Sequence, residues 1–150
     1  MKFNNYFKLG MLILGLGFVG CGETRPIQSE NVTPVVVDGY QETPSGLKYK
    51  VIKEGTGEKP VATDRVRTHY EGKLLSGVIF DSSYQRGEPT EFGVNQVILG
   101  WQECLQMMNE GAVYEIIVPS ELAYGERGAG RVIGPNETLH FKVELVKIIK

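Results

Sequence analysis

Residues 97–108, with the sequence VILGWQECLQMM, are the segment of this chain in which the apolar residues have helical spacing. Their apolar side chains recur at steps of three and four residues, as on one face of a helix. Gly111 follows this run and predicts where the helix ends. The sequence therefore predicts a short amphipathic helix that contains the single tryptophan of the chain. The residues of its apolar face are Ile98, Trp101, Cys104, Leu105 and Met108.

Segments with alternating apolar and polar residues lie on both sides of this helix and predict strands with one buried face. Gly72 and Pro119 are expected to end two of them. Several antiparallel strands with one short helix predict an α+β domain, in which a twisted antiparallel sheet wraps around the helix. The predicted strands comprise residues 47–52, 66–71, 114–118 and 139–145.

Two other short runs contain residue types suited to a binding site. Phe80-Asp81-Ser82-Ser83 predicts a turn with one aromatic ring and one carboxylate, and residues 119–125, PSELAYG, are expected to place a tyrosine in a loop. Each run alone has a plainer interpretation, because an aspartate before serine commonly bonds its own backbone in a turn. The informative feature is that both occur in order with VILGW within one stretch of domain size.

In this combination the three runs resemble the FKBP family of peptidyl-prolyl cis/trans isomerases, which bind the macrolides tacrolimus and rapamycin. The resemblance covers residues 45–150 and is strongest to the bacterial periplasmic branch that includes the macrophage infectivity potentiator proteins. It implies the FKBP architecture and isomerase activity that requires no cofactor. It also implies proline-containing polypeptides as substrates and macrolides such as rapamycin or tacrolimus as inhibitors.

The resemblance also implies an isomerase pocket. Trp101 is expected to form its floor under the proline ring, and Asp81 to supply a carboxylate at its mouth. Arg86 is expected to pair with this aspartate and hold it in place. The catalytic residues implied are Asp81, Tyr124, Phe80 and Trp101. The substrate-binding residues implied are Tyr70, Arg86, Val97, Ile98, Ile133 and Phe141.

The N-terminus has the layout of an export signal. Lys2 and Lys8 precede an uncharged stretch, residues 9–20, that is too short to span a bilayer and has the length of a signal-peptide core. Cys21 follows it in a pattern that resembles the bacterial lipobox, whose cysteine is acylated. The prediction is a lipoprotein signal peptide at residues 1–20 and lipidation of Cys21. There are two alternatives. One is an ordinary signal peptide with an incidental cysteine, and the other is a transmembrane anchor.

Residues 21–44 are rich in proline and polar side chains, and therefore predict a flexible tether after the lipidated cysteine. The isomerase domain is predicted at residues 45–150. The macrophage infectivity potentiator proteins often carry a long dimerising helix ahead of this domain, which is not expected here, so the prediction is a monomer. Gly22 directly follows Cys21, which favours attachment of the protein to the outer membrane, on the side that faces the periplasm.

The overall charge and the histidines exclude two classes of site. The formal net charge is −2 at pH 7, so the chain has no basic field of the kind that nucleic acid requires. His69 and His140 are far from the two cysteines in the sequence, which gives a metal ion no recognisable ligand set. We therefore expect neither a nucleic-acid partner nor a metal site.

Three functions are consistent with these patterns. The favoured one is a membrane-tethered prolyl isomerase that assists the folding of exported proteins. Thr90, Ala129 and Gly134 depart from the family pattern, which leaves open a module or chaperone that binds proline segments without turnover. The third is a surface lipoprotein whose domain serves as an interaction scaffold.

Overall fold

Seven antiparallel strands form one open sheet beside a short helix in the computed structural model, which describes residues 38–150. The predicted signal peptide and Cys21 lie outside the described residues. None of the helices between residues 38 and 150 is long and apolar enough to cross a membrane. The strands are β1 Gln41–Glu42, β2 Lys48–Lys53, β3 Arg65–Leu74, β4 Ile79–Ser82, β5 Thr90–Gly93, β6 Val113–Val118 and β7 Leu139–Ile149. The helices are α1 Ser83–Arg86 and α2 Leu99–Met107, with 3-10 turns at Val94–Gln96, Ser120–Leu122 and Gly125–Arg127.

In the strand order β1-β2-β6-β7-β3-β4, strand β3 lies between β7 and β4, and it also pairs with β5. One edge of β3 pairs with β7, and its other edge is shared by β4 and β5. Helix α1 interrupts this shared edge between β4 and β5. Asp81 pairs with Gly72 within β4, and α1 begins two residues later at Ser83. Residues 80–82 therefore lie in a strand and not in the predicted turn.

The alternation along the long strands determines which side chains meet α2. Tyr70 lies opposite Val143, and Gly72 lies opposite Phe141, on the face that joins the core. Burying an apolar side chain of this size stabilises the fold by roughly 1.5–3 kcal/mol. From the helix and its C-terminal cap, the buried members of this core are Trp101, Cys104, Leu105 and Met108.

The antiparallel sheet with one main short helix confirms the predicted α+β class. The helix begins one residue later than its apolar face, since Ile98 is its N-terminal cap. The expectation that Gly72 ends a strand is wrong, because β3 continues to Leu74. A Cβ at Gly72 would lie 2.7 Å from atoms of both Phe80 and Phe141, so the glycine lets two aromatic rings approach the strand.

The sheet also begins earlier than predicted. Gln41 pairs with Tyr49, four residues before the predicted domain start at residue 45. The hydroxyl of Tyr40 donates to Oε2 of Glu115 at 3.0 Å and lies 3.1 Å from Nε2 of His140. The last residues of the predicted tether, from Tyr40 onward, are therefore part of the folded domain.

Candidate active site

A cavity of about 280 Å³ lies between the start of α2, strands β3 and β5, and the loop after β6. Aromatic and aliphatic side chains form most of its wall, which also includes one glutamine. The residues that line it are Tyr70, Phe92, Gln96, Val97, Ile98, Trp101 and Tyr124.

Trp101 is the centre of the aromatic packing behind this cavity. Its side chain is 3% exposed, and its indole meets three other rings edge to face. The distances between ring centroids are 5.1 Å to Tyr70, 5.4 Å to Phe141 and 5.7 Å to Phe92. Phe141 in turn contacts Phe80 at 5.6 Å, also edge to face. This geometry is favourable for aromatic pairs and fixes the orientation of the indole.

The indole N–H of Trp101 is buried, and no atom of residues 38–150 accepts a hydrogen bond from it. A buried donor without a partner costs about 1–3 kcal/mol. A buried donor beside the cavity thus has no hydrogen-bond partner in the described part of the protein.

A closed network of polar side chains lies against the same cavity. The hydroxyl of Tyr70 donates to Oδ2 of Asp81 at 2.5 Å, and Nη1 of Arg86 donates to Oδ1 of the same carboxylate. Nη2 of Arg86 donates to the hydroxyls of Tyr70 and Thr90, at 3.0 Å in each case. The carboxylate of Asp81 is 5% exposed, so its charge is neutralised by a guanidinium inside the protein rather than by water.

Burial changes the acidity of both cavity tyrosines. Burial raises the pKa of Tyr70, and its hydrogen bond to Asp81 acts in the same direction. Burial also raises the pKa of Tyr124 to about 12, with a further contribution from the charge of Asp81. Both hydroxyls therefore keep their protons at neutral pH. Tyr70 donates its proton to Asp81, and the hydroxyl of Tyr124 remains available as a hydrogen-bond donor.

The start of α2 supplies a backbone donor to the same region. The first N–H groups of a helix have no carbonyl partner within it, and no side chain caps this end. Ile98 is the capping residue and lines the cavity. The carbonyl of Val97 already accepts a 2.8 Å hydrogen bond from Nε2 of Gln102, which holds the chain in place before the helix.

The structure brings most of the predicted site residues together. Five of them line the cavity, namely Tyr70, Val97, Ile98, Trp101 and Tyr124. Asp81 and Arg86 reach it through Tyr70, and Phe141 and Phe80 lie behind the indole. Ile133 is 6% exposed and packs in the core rather than in the lining of the cavity.

Two lining residues, Phe92 and Gln96, are absent from the sequence-based site. Phe92 is an aromatic residue in a strand of only four residues, which is too short for its alternation to identify a face. Gln96 is a polar residue before an apolar run, and its type carries no functional pattern. Among residues 38–150, no three His, Cys, Asp or Glu side chains are grouped as metal ligands.

The family model described as FKBP-type peptidyl-prolyl cis-trans isomerase matches residues 56–146 of this chain. The chain belongs to this family. The FKBP-type 22 kDa peptidyl-prolyl cis-trans isomerase of Escherichia coli K12 is 55% identical over 112 residues, which cover 75% of this chain and 54% of that protein. The outer membrane protein MIP of Legionella longbeachae is 51% identical over 112 residues, which cover 75% of this chain and 48% of that protein.

The fold agrees with this membership. The crystal structure of FkpA from Escherichia coli matches with a TM-score of 0.71 at 42% identity, over 74% of this chain and 52% of that chain. The chain thus spans about half the length of the curated relatives it matches. The resemblance to FKBP-type isomerases and to the macrophage infectivity potentiator branch is confirmed.

Proposed function

We propose that this chain is a peptidyl-prolyl cis/trans isomerase that assists the folding of exported proteins. The observation that supports it is the cavity over Trp101, bordered by the hydrogen-bonded group of Tyr70, Asp81 and Arg86. Family membership supports the same conclusion, because the matching family model is that of FKBP-type isomerases.

The reaction requires no nucleophile, metal or cofactor. Rotation about an X–Pro bond crosses a barrier of roughly 18–20 kcal/mol, because resonance gives the bond partial double-bond character. The cis and trans ground states differ by only about 0.5–1 kcal/mol. The enzyme must therefore bind the twisted amide more tightly than either planar form. Twisting makes the carbonyl less polar, so a water-poor cavity with few polar groups favours the twisted state.

In this proposal the proline ring lies on the indole of Trp101, beside Val97 and Ile98. The hydroxyl of Tyr124 and the backbone N–H of Ile98 bind carbonyl groups of the substrate and set its orientation. Asp81 holds the hydroxyl of Tyr70 in place in the cavity wall, and Arg86 balances the charge of its carboxylate.

The remaining proposed residues support this cavity from outside its lining. Arg86 holds the carboxylate of Asp81 through its guanidinium. Phe141 packs behind the indole of Trp101, and Phe80 packs against Phe141. Ile133 adds to the buried core beside the loop that carries Tyr124.

Macrolides such as rapamycin and tacrolimus are proposed to occupy the same cavity and inhibit the enzyme. For the cell, we propose a monomer in the envelope, attached to the outer membrane through a lipid on Cys21. The relative from Legionella longbeachae is itself named an outer membrane protein, which supports an envelope location.

The test is cis-to-trans isomerisation of a short X–Pro peptide by the purified chain, kept in mild detergent, with and without rapamycin. Catalysis that rapamycin abolishes is the expected result. Rapamycin binding without catalysis would contradict the isomerase function and favour a module that binds proline segments without turnover. If the chain shows neither catalysis nor rapamycin binding, its similarity to FKBP-type isomerases is limited to the fold.

A further inference from the structure

The side chain of Gln96 lies over Gly93. A Cβ at Gly93 would be 2.7 Å from Oε1, 3.0 Å from Cδ and 3.2 Å from Cγ of Gln96. Gly93 directly precedes the 3-10 turn Val94–Gln96, and residues three apart lie above one another in such a turn. The backbone of Gly93, with φ −73° and ψ 135°, is one that any residue adopts. The missing side chain therefore provides space, and the amide of Gln96 occupies it.

This amide has no partner in the part of the chain that the structure describes. The amides of Gln102, Gln106 and Asn109 each donate to a backbone carbonyl. The side chain of Gln96 makes no comparable hydrogen bond within residues 38–150. Gln96 is exposed to solvent and is one of the residues that line the cavity. Its amide is held over Gly93 by packing and keeps its donor and acceptor free.

The chemistry of a free primary amide matches that of a peptide group. Oε1 accepts and the NH₂ group donates, while a peptide group offers one N–H and one C=O. We infer that Gln96 is a further substrate-binding residue, which binds a backbone peptide group of the polypeptide next to the X–Pro bond. This role rests on the proposed isomerase function and adds to it a contact with the chain beyond the proline.

The experiment compares a tetrapeptide containing a central X–Pro bond with two analogues. In each analogue an ester replaces one of the peptide groups that flank the X–Pro unit, which removes its N–H and keeps its shape. The dissociation constants are measured by the fluorescence of Trp101, the single tryptophan of the chain, which lines the cavity. The proteins are the wild type, Gln96→Ala, Gly93→Ala and the double variant.

The wild type is expected to bind the all-amide peptide about 3- to 10-fold more tightly than one of the ester analogues, as one hydrogen bond allows. Gln96→Ala is expected to lose this preference. Gly93→Ala should weaken it, because the new Cβ displaces Oε1. In the double variant Gly93→Ala should have no further effect, because all three atoms that its Cβ meets are gone.

The ratio of the two dissociation constants separates recognition from structural damage. A general loosening of the site would weaken binding of amide and ester peptides alike and leave the ratio unchanged. Equal binding of all three peptides by the wild type, or the full preference in Gln96→Ala, would overturn the inference. Turnover of the all-amide peptide is measured separately, so an inactive wild type refutes the proposed function while the binding comparison still decides the role of Gln96.

Discussion

The hydroxyl of Tyr70 and the carboxylate of Asp81 are joined by a 2.5 Å hydrogen bond between β3 and the end of β4. Because Arg86 binds the other oxygen of that carboxylate, both oxygens of Asp81 have protein partners. The cavity wall is thereby fixed before a substrate arrives, and its polar side chains need no reorganisation.

Asp81→Asn keeps the size of the side chain and removes its charge. The guanidinium of Arg86, whose side chain is 15% exposed, then lacks its counter-ion. Leaving one member of a buried pair uncompensated costs about 3 kcal/mol, and we expect the free energy of unfolding to fall by that amount. We also expect kcat/KM to fall about tenfold or more, which corresponds to about 1.4 kcal/mol of lost transition-state stabilisation.

Glu91→Gln is the matched control for this charge change. Glu91 pairs with Arg67 at 2.7 Å on the surface, where both side chains are more than a third exposed. Such pairs contribute about 0–1 kcal/mol, so stability and activity should stay close to the wild type. Chemical denaturation and the peptide assay check both variants. Equal effects of the two substitutions would show that the network around Asp81 has no special role.

Tyr124→Phe tests the proposed hydroxyl contact with the substrate. Since the pKa of Tyr124 is raised to about 12, the wild-type hydroxyl remains a donor up to about pH 10. Its loss is expected to lower kcat/KM about 3- to 10-fold, the effect of one hydrogen bond. Tyr84→Phe makes the same chemical change outside the cavity, where the hydroxyl donates to Glu144, and should leave kcat/KM unchanged. A Tyr124→Phe enzyme as active as the wild type would remove this residue from the mechanism.

Cys21→Ser tests the proposed lipid anchor. In cells fed a labelled fatty acid, the wild-type protein is expected to carry the label and this variant to carry none. Cys104→Ala is the control, because Cys104 is 1% exposed and burial raises the pKa of its thiol, which makes it a poor nucleophile. Label that persists in Cys21→Ser would contradict the anchor.

The helix could be predicted because its determinants are local, whereas the site residues around it followed from the family resemblance. Apolar residues at steps of three and four place Trp101 and Leu105 on one face of the helix, independently of how the strands pair. Both residues are buried. The pairing of Arg86 with Asp81 was expected from the family resemblance, and α1 brings the two together five residues apart.

The missed features depend on contacts that are distant in the sequence. Strands β4 and β5 have four residues each and exist because both pair with β3. Gly72 was expected to end its strand, but β3 pairs with β7 through it as far as Leu74, and two aromatic rings occupy the space beside the glycine. Tyr40 joins the domain through partners 75 and 100 residues away, which no local pattern identifies.

His140 predicts how stability depends on pH. Burial, with the charge of Lys73 acting in the same direction, lowers the pKa of His140 from 6.5 to about 4. Its ring is 3% exposed, and Nδ1 has no hydrogen-bond partner within residues 38–150. The folded state therefore disfavours the charged ring, whereas the unfolded chain takes up the proton near pH 6.5. The contribution of His140 to stability is complete above pH 6.5 and is lost as the pH falls toward 4.

The expected loss is up to about 3 kcal/mol across this range, since each unit of pKa difference corresponds to 1.36 kcal/mol. His140→Gln has a similar shape and does not titrate, so its free energy of unfolding should fall less between pH 7.5 and 4.5. Urea denaturation at several pH values measures both slopes, and the variant's own offset at pH 7.5 accounts for lost packing and the lost bond to Tyr40. Parallel slopes would mean that the ring is protonated in the folded protein as readily as in the unfolded chain, and that the charge of Glu115, 4.0 Å away, compensates for burial.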